Sequence, residues 1–281
     1  MVAPTLVILA VVIGYPIVRA ILMSFQRYKP LSGLPATNTG LNNYHEVFGD
    51  PIFWESLRNT AVYTFGSVAV SALLGLLLAL LTENLGGRWR YVRSLLLTPW
   101  AVPLIVVAFL FRYMLDQDYG VVNAVLRHLG IIHSNVHWLT SSAWAMPSVM
   151  LANIWTQLPF FFLIFTAGLA SVPNEVIEAA RVDKAGPWAM ATRIKLPYLT
   201  GSALVAILIS VINNFNDFAK VWAMTEGGPG YSTTTLVVYV YRLAFSSFNM
   251  GYAATVGTIW LILLVIFAVL YIWLLQRKSA S

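Results

Sequence analysis

The chain contains no cysteine, which excludes a disulfide framework, a thiolate metal site and a thiol nucleophile. Charge is scarce as well: Asp, Glu, Lys and Arg make up 10% of 281 residues, against about 25% in soluble domains. No G-x-x-x-x-G-K-[ST] motif occurs, so no P-loop holds ATP on this chain. The G-x-S-x-G nucleophile elbow is missing too, and no catalytic residue is expected. Lys/Arg runs interleaved with aromatics are absent, which leaves nucleic acid without a binding surface. His133 and His137 stand four apart with His128 nearby, a spacing that can hold zinc on a helix. They lack carboxylate or thiol partners at matched spacing, so they read as ordinary loop histidines, and no metal or resident cofactor is expected. No internal repeat is visible, which argues against secondary transporters built from duplicated halves.

What the chain has is hydrophobicity: 59% of its residues are apolar, with a net charge of +6. Residues 61–81 and 243–276 carry no charge at all. A helix of about 20 residues reaches about 30 Å, one hydrocarbon thickness. The class is therefore an all-α integral membrane protein. Hydropathy places six transmembrane helices at about 3–25, 59–81, 95–115, 143–170, 198–224 and 251–276, in one transmembrane domain over 1–281. The first segment lacks a basic n-region and is long for a signal peptide, so it reads as a retained span. The charged tail that usually precedes such a helix is missing, so the chain is expected to begin late. Orientation follows the basic residues. Arg88, Arg90 and Arg93 lie in one connection, Arg181, Lys184, Arg193 and Lys195 in another, and Arg277 and Lys278 at the end. The alternate loops spread Arg27, Lys29, Arg58, Arg127 and Arg242 over far more residues. Both termini are thus expected in the cytoplasm, with membrane lipid as the surrounding partner.

Residues 171–197 are too long and too patterned for a simple connection. Pro173 suits a helix start, and a helical stretch over 175–184 carries Glu178, Ala179, Ala180 and Asp183. Ala185-Gly186-Pro187 breaks it, and a second short helix is expected over 188–195, ended by Pro197. Two short helices joined by a break make a docking knob: the alanines allow another surface to approach, and Glu178 and Asp183 supply charge. An amphipathic loop lying on lipid headgroups is the alternative.

Glu178-Ala179-Ala180, position 184 and Ile194-Lys195-Leu196-Pro197 together resemble the EAA loop of ABC importer permeases. Asp183, Ala185, Gly186 and Trp188 resemble the sugar-importer version. The usual glycine of that motif is Lys184 here; Lys can fit if Ala185-Gly186 takes the bend. Asn43-Tyr44, Phe53-Trp54, Arg58-Asn59-Thr60 and Thr225-Glu226-Gly227-Gly228-Pro229 extend the likeness over nearly the whole chain. The resemblance is to permeases of the maltose and glycerol phosphate importer type, and it implies the type I ABC importer permease fold. It also implies a second permease subunit, two cytoplasmic ATPase subunits that carry ATP and Mg, and an extracytoplasmic sugar-binding protein. Glu178, Ala179, Ala180, Asp183, Lys184, Ala185, Gly186, Leu196 and Pro197 would couple to the ATPase. The implied function is alternating-access transport of a sugar, a disaccharide such as trehalose, with no covalent chemistry on this chain. Import of another sugar or of glycerol phosphate, ion-coupled secondary transport, and a non-transport scaffold are the alternatives.

Polar side chains within the spans face cavities or other helices. Asn213, Asn216, Asp217 and Lys220 are spaced i, i+3, i+4 and i+7, one face of a continuous helix. Asp217 and Lys220 are near enough to pair. Amides both donate and accept, which suits sugar hydroxyls, and they also bond one helix to another. The resemblance implies that Asn213, Asn216 and Asp217, with Asn153, Gln157 and Phe160 of the fourth span, line the substrate site. Phe160 and Trp155 are the candidates to stack on a sugar face.

Overall fold

The computed structural model describes residues 3–83 and 89–279. Arg88 lies outside the described residues, as do the side chains of Arg90, Arg93, Arg277 and Lys278. Among the described residues, five helices are long and apolar enough to cross a membrane: α1 (Thr5–Ser24), α3 (Pro51–Thr82), α8 (Ala145–Ala170), α10 (Pro187–Phe215) and α13 (Met250–Ser279). Shorter helices fill the intervals. They are α2 (Asn42–Phe48), α4 (Trp89–Leu96), α5 (Thr98–Ala101), α6 (Leu104–Met114), α7 (Val121–His128), α9 (Asn174–Val182), α11 (Ala219–Thr225) and α12 (Leu236–Ser246). A two-stranded antiparallel ribbon pairs β1 (Gln26–Arg27) with β2 (Thr37–Asn38).

The six expected hydrophobic segments are all helical, but three differ in extent. α3 begins at Pro51, eight residues before the expected start, because Asp50 caps it: its Oδ1 accepts from the Ile52 amide at 2.9 Å, and Pro51 supplies the preset φ of a first helical residue. The third segment is interrupted. Val102 is extended and Pro103 starts α6 afresh, since prolines 99 and 103 donate no backbone hydrogen bond. The fifth segment starts early, at Pro187, and stops at Phe215; Asn216, Asp217 and Phe218 are unwound before α11 resumes. Asn213, Asn216, Asp217 and Lys220 therefore do not share one helix face. Pro197 does not end a helix either. Residues Met190–Lys195 form a π stretch, and the looser i→i+5 pattern absorbs the missing proline donor as the chain runs into the span. Pro159 lies inside α8, which continues through it. His133 and His137 lie outside any helix, and no cluster of potential metal ligands is found among the described residues.

α3 and α8 form the centre of the bundle. In a membrane, helices associate by close packing rather than by exclusion of water, so small residues at the contact matter. A Cβ on Gly75 would stand 2.6 Å from Phe161 Cβ, and one on Gly66 would stand 2.5 Å from Met150 Cε. On one side, Val68 and Ala79 of α3 join Phe161, Phe162, Phe165 and Leu169 of α8 and Leu199, Ala206 and Val211 of α10. On the other, Tyr63 joins Val149, Ala152, Phe111, Val221 and Val238, which ties α6, α11 and α12 to the centre. A third cluster, Val47, Phe53, Leu236, Tyr239, Val256 and Ile259, fixes α2, α12 and α13 around the start of α3. Asp50 sits there too: its Oδ2 accepts from the hydroxyls of Tyr239 and of Tyr252, the latter at 3.0 Å.

Candidate functional site

A cavity of about 740 Å³ opens where α8, the end of α10, the unwound segment and the interrupted segment 99–104 converge. Asn153, Gln157, Phe160, Asn213, Asn216 and Asp217 all line it. Asn153 and Gln157 lie one turn apart on α8 and meet Asn214 near the end of α10. Asn153 Nδ2 donates to Asn214 Oδ1 at 3.2 Å, Gln157 Nε2 donates to Asn153 Oδ1 at 3.2 Å, and Gln157 Nε2 also donates to Asn214 Oδ1. Asn214 Nδ2 reaches the Thr64 carbonyl of α3 at 3.5 Å. Asn153 is fully buried and Asn214 nearly so; the amide triangle therefore also joins three helices. Gln157 Oε1 is buried and has no hydrogen-bond partner among the described residues.

The unwound segment places the rest. Asn216 caps the end of α10, its Nδ2 donating to the Ile212 carbonyl at 2.7 Å, one of the acceptors a helix terminus leaves free. Asp217 Oδ2 accepts from Tyr63 O–H at 2.5 Å and pairs with Lys220 Nζ at 2.6 Å, and Oδ1 accepts from the Lys220 amide at 3.4 Å. The Asp217 and Lys220 side chains are 7% and 6% exposed, so this ion pair is buried and its charges cancel locally. Phe160 and Trp100 stand on one wall with ring centroids 6.1 Å apart. Trp155 does not reach the cavity; it packs on Phe111 at 5.8 Å within the apolar cluster. Asn214, Trp100 and Tyr63 were not singled out in the sequence. Asn214 could have been, as an amide in an apolar run next to Asn213.

At one end of the bundle α9 and the start of α10 form a knob. α9 ends in a Schellman turn: the Ala185 amide bonds the Ala180 carbonyl at 2.9 Å and the Lys184 amide bonds the Arg181 carbonyl at 3.0 Å. Lys184 holds the left-handed position that closes this turn, φ 55°, while Gly186 is ordinarily extended. The bend thus falls on Lys184 itself rather than on Ala185-Gly186. Glu178, Ala179, Asp183, Lys184 and Gly186 are exposed, Ala185 is half-buried, and Leu196 and Pro197 are exposed further along α10. Ala180 is buried in its own chain and offers no surface to a partner. Val182 and Trp188 flank the turn, each 81% exposed. Glu178 makes no ion pair among the described residues.

Apolar spans around a polar cavity, with a short helical knob at one end, are the architecture of a multi-span membrane protein. Residues 71–280 match the family described as binding-protein-dependent transport system inner membrane component, and the chain belongs to that family. It is 36% identical over 277 residues to the sulfoquinovosyl glycerol transport system permease protein SmoG of Agrobacterium fabrum, covering 99% of this chain and 89% of that protein. It is 32% identical to the trehalose/maltose transport system permease protein MalF of Thermococcus litoralis, covering 97% and 91%. A permease chain of the bacterial alginate ABC transporter, solved in complex with an alginate pentasaccharide-bound periplasmic protein, superposes with a TM-score of 0.85 at 22% identity, covering 100% of this chain and 94% of that one. The fold is that of an ABC importer permease of type I.

Proposed function

We propose that this chain is a permease subunit of an ATP-driven importer that carries a neutral sugar across the cytoplasmic membrane, a disaccharide such as trehalose being the first candidate. The observation that carries the reading is the cavity: amides at its wall, two aromatic rings beside them, and a lone cation and anion that neutralise each other. Amides both donate and accept, which suits hydroxyl groups, rings suit the apolar faces of a sugar, and a volume of about 740 Å³ falls within the range of small-ligand sites. An anionic substrate would call for an unpaired Arg or Lys, and Lys220 is committed to Asp217. The relative named for trehalose and maltose supports the choice of disaccharide.

In this reading the chain pairs with a second permease, and two ATPase subunits carry ATP and Mg. An extracytoplasmic binding protein delivers the sugar to the end opposite the knob, and both termini lie in the cytoplasm. The knob from Glu178 to Pro197 docks on an ATPase. Nucleotide-driven closure moves it, and the spans turn from inward- to outward-facing. The test is co-purification with the neighbouring ATPase and binding protein, followed by ATP hydrolysis measured against a panel of sugars. Trehalose or another neutral disaccharide should stimulate hydrolysis, and Gln157→Ala should weaken that stimulation. Uptake that persists without ATP and collapses with an ionophore would overturn the proposal.

A further inference from the structure

We propose that the ion pair Glu83–Lys195 is the strut through which the knob drives the cavity, so that α3 and α10 swing as one frame. The inference rests on the docking role assigned above to the knob. Glu83 is the residue that ends α3, and Lys195 is the last residue of the π stretch that joins the knob to α10. Lys195 Nζ meets Glu83 Oε2 directly, with the two side chains 10% and 21% exposed. Local preference does not explain the pair, because a carboxylate at a helix C-terminus opposes the helix dipole. Stability does not explain it either: apolar residues of similar volume usually serve a buried position at least as well as a charge pair.

Position does explain it. α3 and α10 run antiparallel and are joined again at the cavity, where Tyr63 O–H bonds Asp217 and the Thr64 carbonyl accepts from Asn214. Between these two joints each chain runs as helix for about 20 residues, about 30 Å, with Val68, Ala79, Leu199, Ala206 and Val211 buried between them and α8. Two helices pinned at both ends cannot slide past one another without breaking a pin. Thrust at the knob end therefore arrives at the unwound segment Asn216–Phe218, the place where the backbone can yield. Without the strut, the π stretch would flex and the thrust would be spent on α10 alone. Glu83 and Lys195 are positioning residues; neither touches the cavity.

The experiment uses the assembled importer in vesicles and reads sugar moved per ATP hydrolysed. In the double variant Glu83→Met/Lys195→Met the two charges leave together, so the chain is expected to fold and to bind the ATPase. Sugar moved per ATP should fall severalfold. The exchanged pair, Glu83→Lys/Lys195→Glu, should recover most of that ratio. An unchanged ratio in the methionine pair overturns the strut. Failure of both double variants to assemble makes the pair a folding element and overturns it equally. Failure of the wild-type assembly to couple hydrolysis to any sugar would instead overturn the function proposed above, a result visible before any variant is made.

Discussion

Lys184 shows how much one backbone position can demand. The Schellman turn that ends α9 requires a left-handed residue, and a side chain there costs about 1–2 kcal/mol that glycine avoids. Lys184→Gly should therefore slow hydrogen exchange at the Lys184 and Ala185 amides and leave transport intact. Lys184→Ile, β-branched and poorly tolerated at positive φ, should speed that exchange and lower transport; equal exchange in the two variants would contradict the assignment of strain. Tyr63→Phe removes one hydroxyl from a buried carboxylate while keeping the ring, and should cost about 1.5–3 kcal/mol in thermal stability of the purified permease. Asn213, Asn216 and Asp217 stand out in the sequence as polar groups in an apolar run, whereas Asn153 and Gln157 come in through the family resemblance; all five line the cavity. Asn214 was equally conspicuous but fell off a face drawn on the premise of an unbroken helix. Tyr63 was not legible at all, since a tyrosine within a span looks the same whether it meets lipid or a buried aspartate.

The elements repeat that lesson. Apolar runs announced every long helix, because burying backbone in hydrocarbon leaves the helix as the available form. Their ends and interruptions were harder to read, because these depend on where the backbone finds substitute partners. Asp50 extends α3 outward by capping it, the π stretch carries α10 through Pro197, and Asn216 closes α10 early by bonding the Ile212 carbonyl. Packing between elements is likewise set by absent atoms. Gly75 on α3 touches the Phe161–Phe162 backbone of α8, whereas a Cβ on Gly201 of α10 would meet nothing within 4 Å. Gly75→Ala should lower stability by about 1–3 kcal/mol through overpacking, and Gly201→Ala should raise it by up to about 1 kcal/mol through helix propensity. Thermal unfolding in detergent compares the two, and a pair of equal shifts would remove the α3–α8 contact from the account.

At the scale of the molecule, much of the apolar exterior has no partner among the described residues. α1 from Leu6 to Ile13 is exposed on all sides, and Val265, Ile266, Val269 and Leu270 of α13 face outward. Lipid accounts for such surfaces on helices of spanning length; the knob exposes Val182 and Trp188 beside the charges of Glu178 and Asp183. An apolar anchor ringed by charge is the pattern of a protein–protein contact, in which a buried tryptophan supplies most of the binding energy. Glu178 makes no ion pair among the described residues, and in the docking proposed above its charge is the one a partner would complement. Trp188→Ala should weaken association with the ATPase by about 2 kcal/mol or more, some 30-fold in affinity, without altering insertion of the permease in the membrane. Glu178→Lys should reverse the local charge and abolish uptake while the spans remain assembled. Pull-down of the ATPase and sugar uptake, measured on the same membranes, separate the two effects: loss of both in Glu178→Lys together with a normal permease yield is the expected result. Full uptake by Glu178→Lys, or wild-type ATPase retention by Trp188→Ala, would move the drive for transport away from the knob, because the exposed surface proposed to receive it would then not be gripped.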